Sequence, residues 1–260
     1  MDFWVLVVIL VAVQPLVGWW RFRRFVGGAR VVATHRKLRL YAMIVATQWT
    51  LVALCAWVLR RRQLDVADLG LVAPGPAWTW GAAAVFGAVL MTATAIAVRN
   101  LRRGSSKELP SHLRSVARIL PILPLERAGF VPVALTAGIC EETLYRGFLT
   151  FAFLQLVPSM PTALALSTIA FGIGHLYQGP RGVLATALLG AFLAALYWVS
   201  GSLWPGIALH AAVDVVNGNA LGSLNQLPEA EAPALTASGV ADHTDGQTGG
   251  SPPLERTTGT

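Results

Sequence analysis

The chain is predicted to be an all-α polytopic membrane protein, a bundle of about seven transmembrane helices, and three observations carry that prediction. Hydrophobic residues make up 55% of the 260 and charged residues 13%, far from the balance of an ordinary soluble domain. Apolar runs recur at close to the roughly 20 residues that a helix needs to cross a bilayer. They are continuous and rich in Ala and Leu, without the alternation of a transmembrane barrel.

The first run covers about 3–19. Its basic cluster follows the apolar stretch, so it reads as a retained anchor and not as a cleaved signal. The gap at 21–39 holds Arg21, Arg23, Arg24, Arg30, Arg36, Lys37 and Arg39 with no acid. After the second run (40–59) come Arg60, Arg61 and Arg62, offset by Asp65 and Asp68. The third run (77–98) precedes a gap, 99–127, that again holds seven basic residues. Four further runs follow, at 129–154, 161–178, 182–200 and 203–222. Basic gaps face the cytoplasm, so the amino terminus is expected outside and, with an odd helix count, the carboxyl terminus inside. Trp78, Trp80, Trp198 and Trp204 then fall at outer ends, and Trp19 and Trp20 at an inner one. The expectation is an integral protein of the plasma membrane.

From about Pro228 the composition shifts to Pro, Ala, Gly, Ser and Thr with scattered acids, too poor in apolar residues to order itself. The domain reading is therefore a bundle over 1–222 and a disordered cytoplasmic tail over 223–260. The net charge of +7 resides in the gaps that set topology, which favours anionic lipid headgroups as partners and argues against nucleic acid. Cys55 and Cys140 both lie in apolar runs and belong to no metal-ligand spacing.

Chemistry concentrates in the last four runs. Glu141-Glu142-Thr143-Leu144-Tyr145-Arg146 puts two carboxylates and a guanidinium inside an apolar stretch, where such groups are costly unless they carry function. Adjacent helical residues point about 100° apart, so Glu141 and Glu142 have different surroundings. Glu142 and Arg146 are four apart in the favoured order and can pair. Glu141 is left without a local counter-ion, free for acid or base work. The next run carries Phe171-Gly172-Ile173-Gly174-His175, whose glycines admit a close helix neighbour. The last carries His210 and Asp214 on one face, an imidazole that a carboxylate can orient.

EETLYR, FGIGH and HAAVD follow in order the EExxxR, FxxxH and HxxxN/D motifs, and over about 125–220 the chain resembles the CPBP family of CAAX proteases and bacteriocin-processing enzymes. The resemblance implies an intramembrane endopeptidase, glutamate-dependent or metal-dependent, that hydrolyses a peptide bond in a cavity within the bundle. It implies that Glu141 and His175 hold and deprotonate the water, that His210 and residue 214 stabilise the oxyanion, and that Glu142 with Arg146 fixes the face presenting Glu141. Phe171 supports the site. The family often has Asn where this chain has Asp214, and an ionised Asp cannot donate to an oxyanion, so Asp214 either orients His210 or ligates a metal. Glu141, His175 and His210 are a possible set for one divalent metal such as zinc, with a position open for water; a metal-free site is the equal alternative. The implied substrate is a protein or peptide, prenylated or membrane-associated. Two other classes stay open: a non-catalytic self-immunity or scaffold protein of the same family, and a proton-coupled transporter using the same buried groups as a relay. One tension accompanies these boundaries. They set Glu141 about 18 Å from the cytoplasmic end of its helix and His175 about 5 Å from its own.

Overall fold

The structure, a computed structural model, describes residues 3–27, 32–73, 75–103 and 116–224. Among these residues seven long helices stand and no strand occurs. They are α1 (Phe3–Val26), α2 (Thr34–Arg61), α3 (Ala77–Arg103), α4 (124–154), α5 (Met160–Gly174), α6 (Gly179–Ser200) and α7 (Trp204–Gly222). Prolines stand in the first turns of α4, α5, α6 and α7, where a missing N–H costs nothing. Arg60 and Arg61 close α2, and Arg102 and Arg103 close α3, beside the negative helix ends. The all-α bundle and its seven runs are as expected, with ends shifted by a few residues.

Four segments are long and apolar enough to cross a membrane: Phe3–Val26, Thr34–Arg61, Ala77–Arg103 and Leu176–Ser200. Helix α5 is equally apolar but only 15 residues long, and α4 and α7 carry the charged and imidazole side chains. Val85, Val89, Ile169, Leu184 and Leu188 are each more than half exposed. An apolar exterior of this kind suits lipid and not water, and the chain is an integral membrane protein.

Helix α4 packs most extensively against α7 and α2 and also touches α5, while α7 packs on α3 and α5 on α6. One apolar cluster joins Leu6 and Leu10 of α1, Cys55 and Val58 of α2, Leu144 and Phe148 of α4 and Phe171 of α5. A second joins Ala83 of α3, Leu193 and Leu196 of α6 and Leu209 and Val213 of α7. Phe171 in the first cluster meets His210 edge-on, their ring centroids 5.9 Å apart, and His210 lies between Leu209 and Val213 in the chain. The polar side chains gather where the two clusters meet.

At the start of α4 a buried ion pair ties it to α2. Lys37 Nζ donates to Glu126 Oε2 at 2.8 Å and to the Leu120 carbonyl at 3.0 Å. Glu126 also accepts from the Thr34 hydroxyl and the Ile122 N–H. Burial opposes ionisation of Glu126, but Lys37 and these donors outweigh it and hold the carboxyl below the ordinary glutamate value.

The depth mismatch between Glu141 and His175 disappears when both are counted from the other ends of their helices. Glu141 precedes Leu154 by about 20 Å of helix and His175 follows Met160 by about 22 Å. Helix α5 stops at Gly174, and a short turn, Leu176–Gln178, leads into α6. The run at 161–178 is thus a short helix plus a turn. Of the expected tail at 223–260, Ser223 and Leu224 form a turn, and Arg102 Nη2 donates to Ser223 Oγ at 2.6 Å. The remainder lies outside the described residues.

Candidate active site

Helix α4 changes its winding at the charged motif. It is α-helical over Pro124–Glu141, takes π-type hydrogen bonds over Glu142–Leu149, and is α-helical again over Thr150–Leu154. Such widened turns are rare and frequently occur at functional sites. The Tyr145 carbonyl accepts from the hydroxyls of Thr150 at 3.3 Å and of Ser167 on α5 at 2.5 Å. A second π turn, Ile9–Val13, precedes Gln14 on α1, whose Oε1 lies 3.4 Å from the Tyr145 hydroxyl. Tyr145, four residues after Glu141, is buried.

The two adjacent glutamates have different partners, because the helix turns them apart. Glu142 Oε1 accepts from Arg146 Nη1 at 2.9 Å and from His210 Nδ1 at 2.9 Å. The side chains of Glu142, Arg146 and His210 are almost completely enclosed. The Arg146 guanidinium lies 4.0 Å over the Phe171 ring, a cation–π contact that adds to its neutralisation. Two glycines make room for this group. A Cβ on Gly190 of α6 would lie 2.6 Å from Arg146 Nη2 and 2.9 Å from Phe171 Cδ1; one on Gly138 of α4 would lie 2.8 Å from the Ile207 carbonyl of α7.

Among the described residues no cation lies within hydrogen-bond distance of Glu141. Its Oε1 accepts from Gln48 Nε2 of α2 at 2.6 Å. Its Oε2 is buried and unpartnered, 3.9 Å from His175 Nε2 and 3.9 Å from His210 Nε2. His175 Nδ1 lies 2.8 Å from the Phe171 carbonyl. A carbonyl only accepts, so Nδ1 carries a proton and the Nε2 of a neutral ring turns a lone pair towards Glu141. Asp214 Oδ2 is 3.6 Å from His210 Nε2, on the ring edge that faces Glu141 and beyond hydrogen-bond reach. Nδ1 of His210 belongs to Glu142.

All seven residues singled out in the sequence meet in one site: Glu141, Glu142, Arg146, Phe171, His175, His210 and Asp214. The structure adds Gln48, Ser167, Gly138 and Gly190. A glutamine in the apolar run 40–59 is a signal of the same kind as the glutamates, but its partner is 93 positions away. Periodicity does not reach that far.

Residues 124–216 match the family model of the type II CAAX prenyl endopeptidases, Rce1-like. This protease family is the one that the three motifs suggested, and the matched segment is α4 to α7, the helices that carry every motif. No curated protein and no solved structure matches the chain. The Rce1-like segment is thus completed by α1 to α3, of which α2 reaches Glu141 through Gln48 and α1 reaches Tyr145 through Gln14.

A metal has specific requirements here. Zinc bonds of about 2.0–2.1 Å at the tetrahedral angle set neighbouring donors about 3.4 Å apart. Both gaps from Glu141 Oε2 are 3.9 Å, and among the described residues no group of three or more His, Cys, Asp or Glu side chains is disposed to hold a metal ion. Two hydrogen bonds of about 2.8 Å meeting on one water span 3.9 Å at roughly a right angle. As placed, the donors fit a water and do not fit zinc.

Proposed function

We propose that the protein is a membrane-embedded endopeptidase in which Glu141 activates a water held between its Oε2 and the Nε2 of His175. The carrying observation is the buried, unpartnered Glu141 Oε2 equidistant from two imidazole nitrogens. The neutral His175 accepts a hydrogen bond from one water O–H and orients it, and Glu141 takes the proton of the other as the water oxygen attacks the scissile carbonyl carbon. His210, in the form carrying both ring protons, keeps Nδ1 on Glu142 and donates Nε2–H to the oxyanion. Asp214, beside Nε2, favours that form. The tetrahedral intermediate collapses as the proton on Glu141 passes to the leaving amine. No step requires a metal.

The substrate class follows the family: a protein or peptide terminus brought to the bilayer by a prenyl or similar apolar group. A cavity of about 550 Å³ opens between the end of α1 and the α5–α6 turn, lined by Trp19, Phe22, Arg23, Leu176 and Tyr177 among others. Tyr177 is 5.9 Å from the His175 ring and 5.0 Å from Phe22, centroid to centroid, which sets one wall of this groove, of mixed polar and apolar lining, beside the His175 ring. With the basic gaps inside, in the plasma membrane, the groove faces the cytoplasm, and the segment at 223–260 is a cytoplasmic tail on a bundle of 1–222.

The test is cleavage of a quenched fluorescent prenylated peptide by the purified full chain. Glu141→Gln and His175→Ala are expected to abolish turnover while both variants insert and melt like the unmodified protein. Membrane proteomes of cells carrying Glu141→Ala give the substrate-blind form of the same test. Full cellular activity in that strain overturns the catalytic reading and leaves a role by contact.

A further inference from the structure

We infer that Gln48 on α2, outside the Rce1-like segment, is the positioning residue of Glu141, holding the carboxylate by Oε1 so that Oε2 faces the two histidines. The inference rests on the reading of Glu141 as the group that receives the water proton. Among the described residues Gln48 is the side chain that donates to this carboxylate, at 2.6 Å. Without it the terminal torsion of a glutamate is broad and roughly two-fold, and Oε1 and Oε2 exchange places or swing off the line to His175 and His210. The neighbouring bond from Trp49 Nε1 to Thr136 Oγ1, at 3.3 Å, fixes α2 against α4 one turn below, so the amide is delivered by a rigid helix pair.

The chemical identity of the donor matters. Glu142 is bound to a guanidinium, which neutralises it. A cation at position 48 would do the same to Glu141 and remove its basicity, whereas a neutral amide orients the carboxylate and leaves it able to take a proton. Glu141 is faced by His175, the residue that follows α5, and by His210 and Asp214 of α7. On its own helix Glu142, Arg146 and Tyr145 lie near enough to act on it or feel it, and Tyr177 feels it from the α5–α6 turn. None of these donates a hydrogen bond to Oε1, so loss of the Gln48 bond is not made good by a neighbour.

The experiment titrates Glu141 directly. Dicyclohexylcarbodiimide adds to protonated buried carboxyls, and the mass gained by the peptide bearing Glu141 is followed across pH for the full chain in detergent, with Glu141→Gln as the blank. Gln48→Met keeps the side-chain volume and removes the donor. It is expected to move the labelling midpoint up by about one pH unit and to lower kcat on the prenylated peptide with KM unchanged. Gln48→Glu, which places a second carboxyl beside the first, is expected to move the midpoint further up, and it decides the matter if the methionine variant does not fold. An unchanged midpoint overturns the assignment. If the midpoint moves but the unmodified chain cuts no peptide, the protease reading fails and the positioning stands.

Discussion

Glu142 and Arg146 offer a perturbation in which stability and catalysis separate. Their side chains are 1% and 0% exposed and meet at 2.9 Å, so removing one partner leaves a buried charge uncompensated, at a cost of about 3–5 kcal/mol. Arg146→Met is expected to lower the melting temperature by roughly 10 °C, at about 2–4 °C per kcal/mol for a chain of this size. Cys55 and Cys140 are both free and buried, which makes a thiol-reactive dye the natural reporter of unfolding. The double variant Glu142→Leu with Arg146→Met replaces the pair by apolar groups, a change that is commonly neutral or stabilising, and most of the lost stability returns. Cleavage does not return, because His210 Nδ1 has lost the Glu142 oxygen at 2.9 Å that sets its ring orientation. A double variant that cuts the prenylated peptide at the original rate refutes this reasoning and reduces the pair to a structural staple.

Other outcomes follow from the same geometry. Gly190→Ala drives a Cβ to 2.6 Å from Arg146 Nη2; melting should show a loss of about 1–3 kcal/mol, with kcat falling more than KM rises. Gly138→Ala meets backbone, the Ile207 carbonyl at 2.8 Å, so α7 itself must move and His210 with it; turnover should fall at least tenfold even where the dye reports a folded protein. Treatment with 1,10-phenanthroline should leave cleavage intact; inhibition that zinc reverses would mean that the 3.9 Å gaps close around a metal. Glu126 has its carboxyl held below the usual range, so its pairing with Lys37 stabilises the fold above the ordinary glutamate value and is lost as pH falls through the lower folded one. Acid melting profiles should therefore show that loss below about pH 4.5, and Lys37→Met should remove that part of the dependence.

The bundle was legible because its spans are long, apolar and separated by basic gaps, signals that need no knowledge of partners. The members of the candidate site stand out in the sequence, since Glu141, His175, His210 and Asp214 are expensive residues in apolar runs. Their wiring was not legible. A four-residue spacing predicts Glu142 with Arg146, but the second acceptor role of Glu142 towards His210 spans 68 positions, and no local pattern encodes it. The same four-residue rule suggested Asp214 as the orienting partner of His210, and the structure brings it to within 3.6 Å of Nε2 while Nδ1 goes elsewhere. Depth went astray for a related reason: α5 ends at Gly174, and the apolar residues of the turn after it extend the run without extending the helix.

The contrast between the two glutamates is what gives the charged motif its chemical sense. Both carboxylates are withdrawn from bulk water, and they differ by about 100° of helix rotation, which is enough to give one a guanidinium and an imidazole and the other a single neutral amide. Glu142 therefore has Oε1 committed to two donors and a counter-charge beside it, and it cannot take a water proton there without breaking contacts that hold two other residues. Glu141 keeps Oε2 unspent between two Nε2 atoms, so accepting a proton there disrupts no existing hydrogen bond. Exchanging the partners should exchange the roles. A chain with Gln48→Arg gives Glu141 the hydrogen-bonded cation that Glu142 now has, and it is expected to fold with Glu141 paired and to lose cleavage; retention of full turnover by that folded variant would mean that a carboxylate free of a directly bonded cation is not what the chemistry requires.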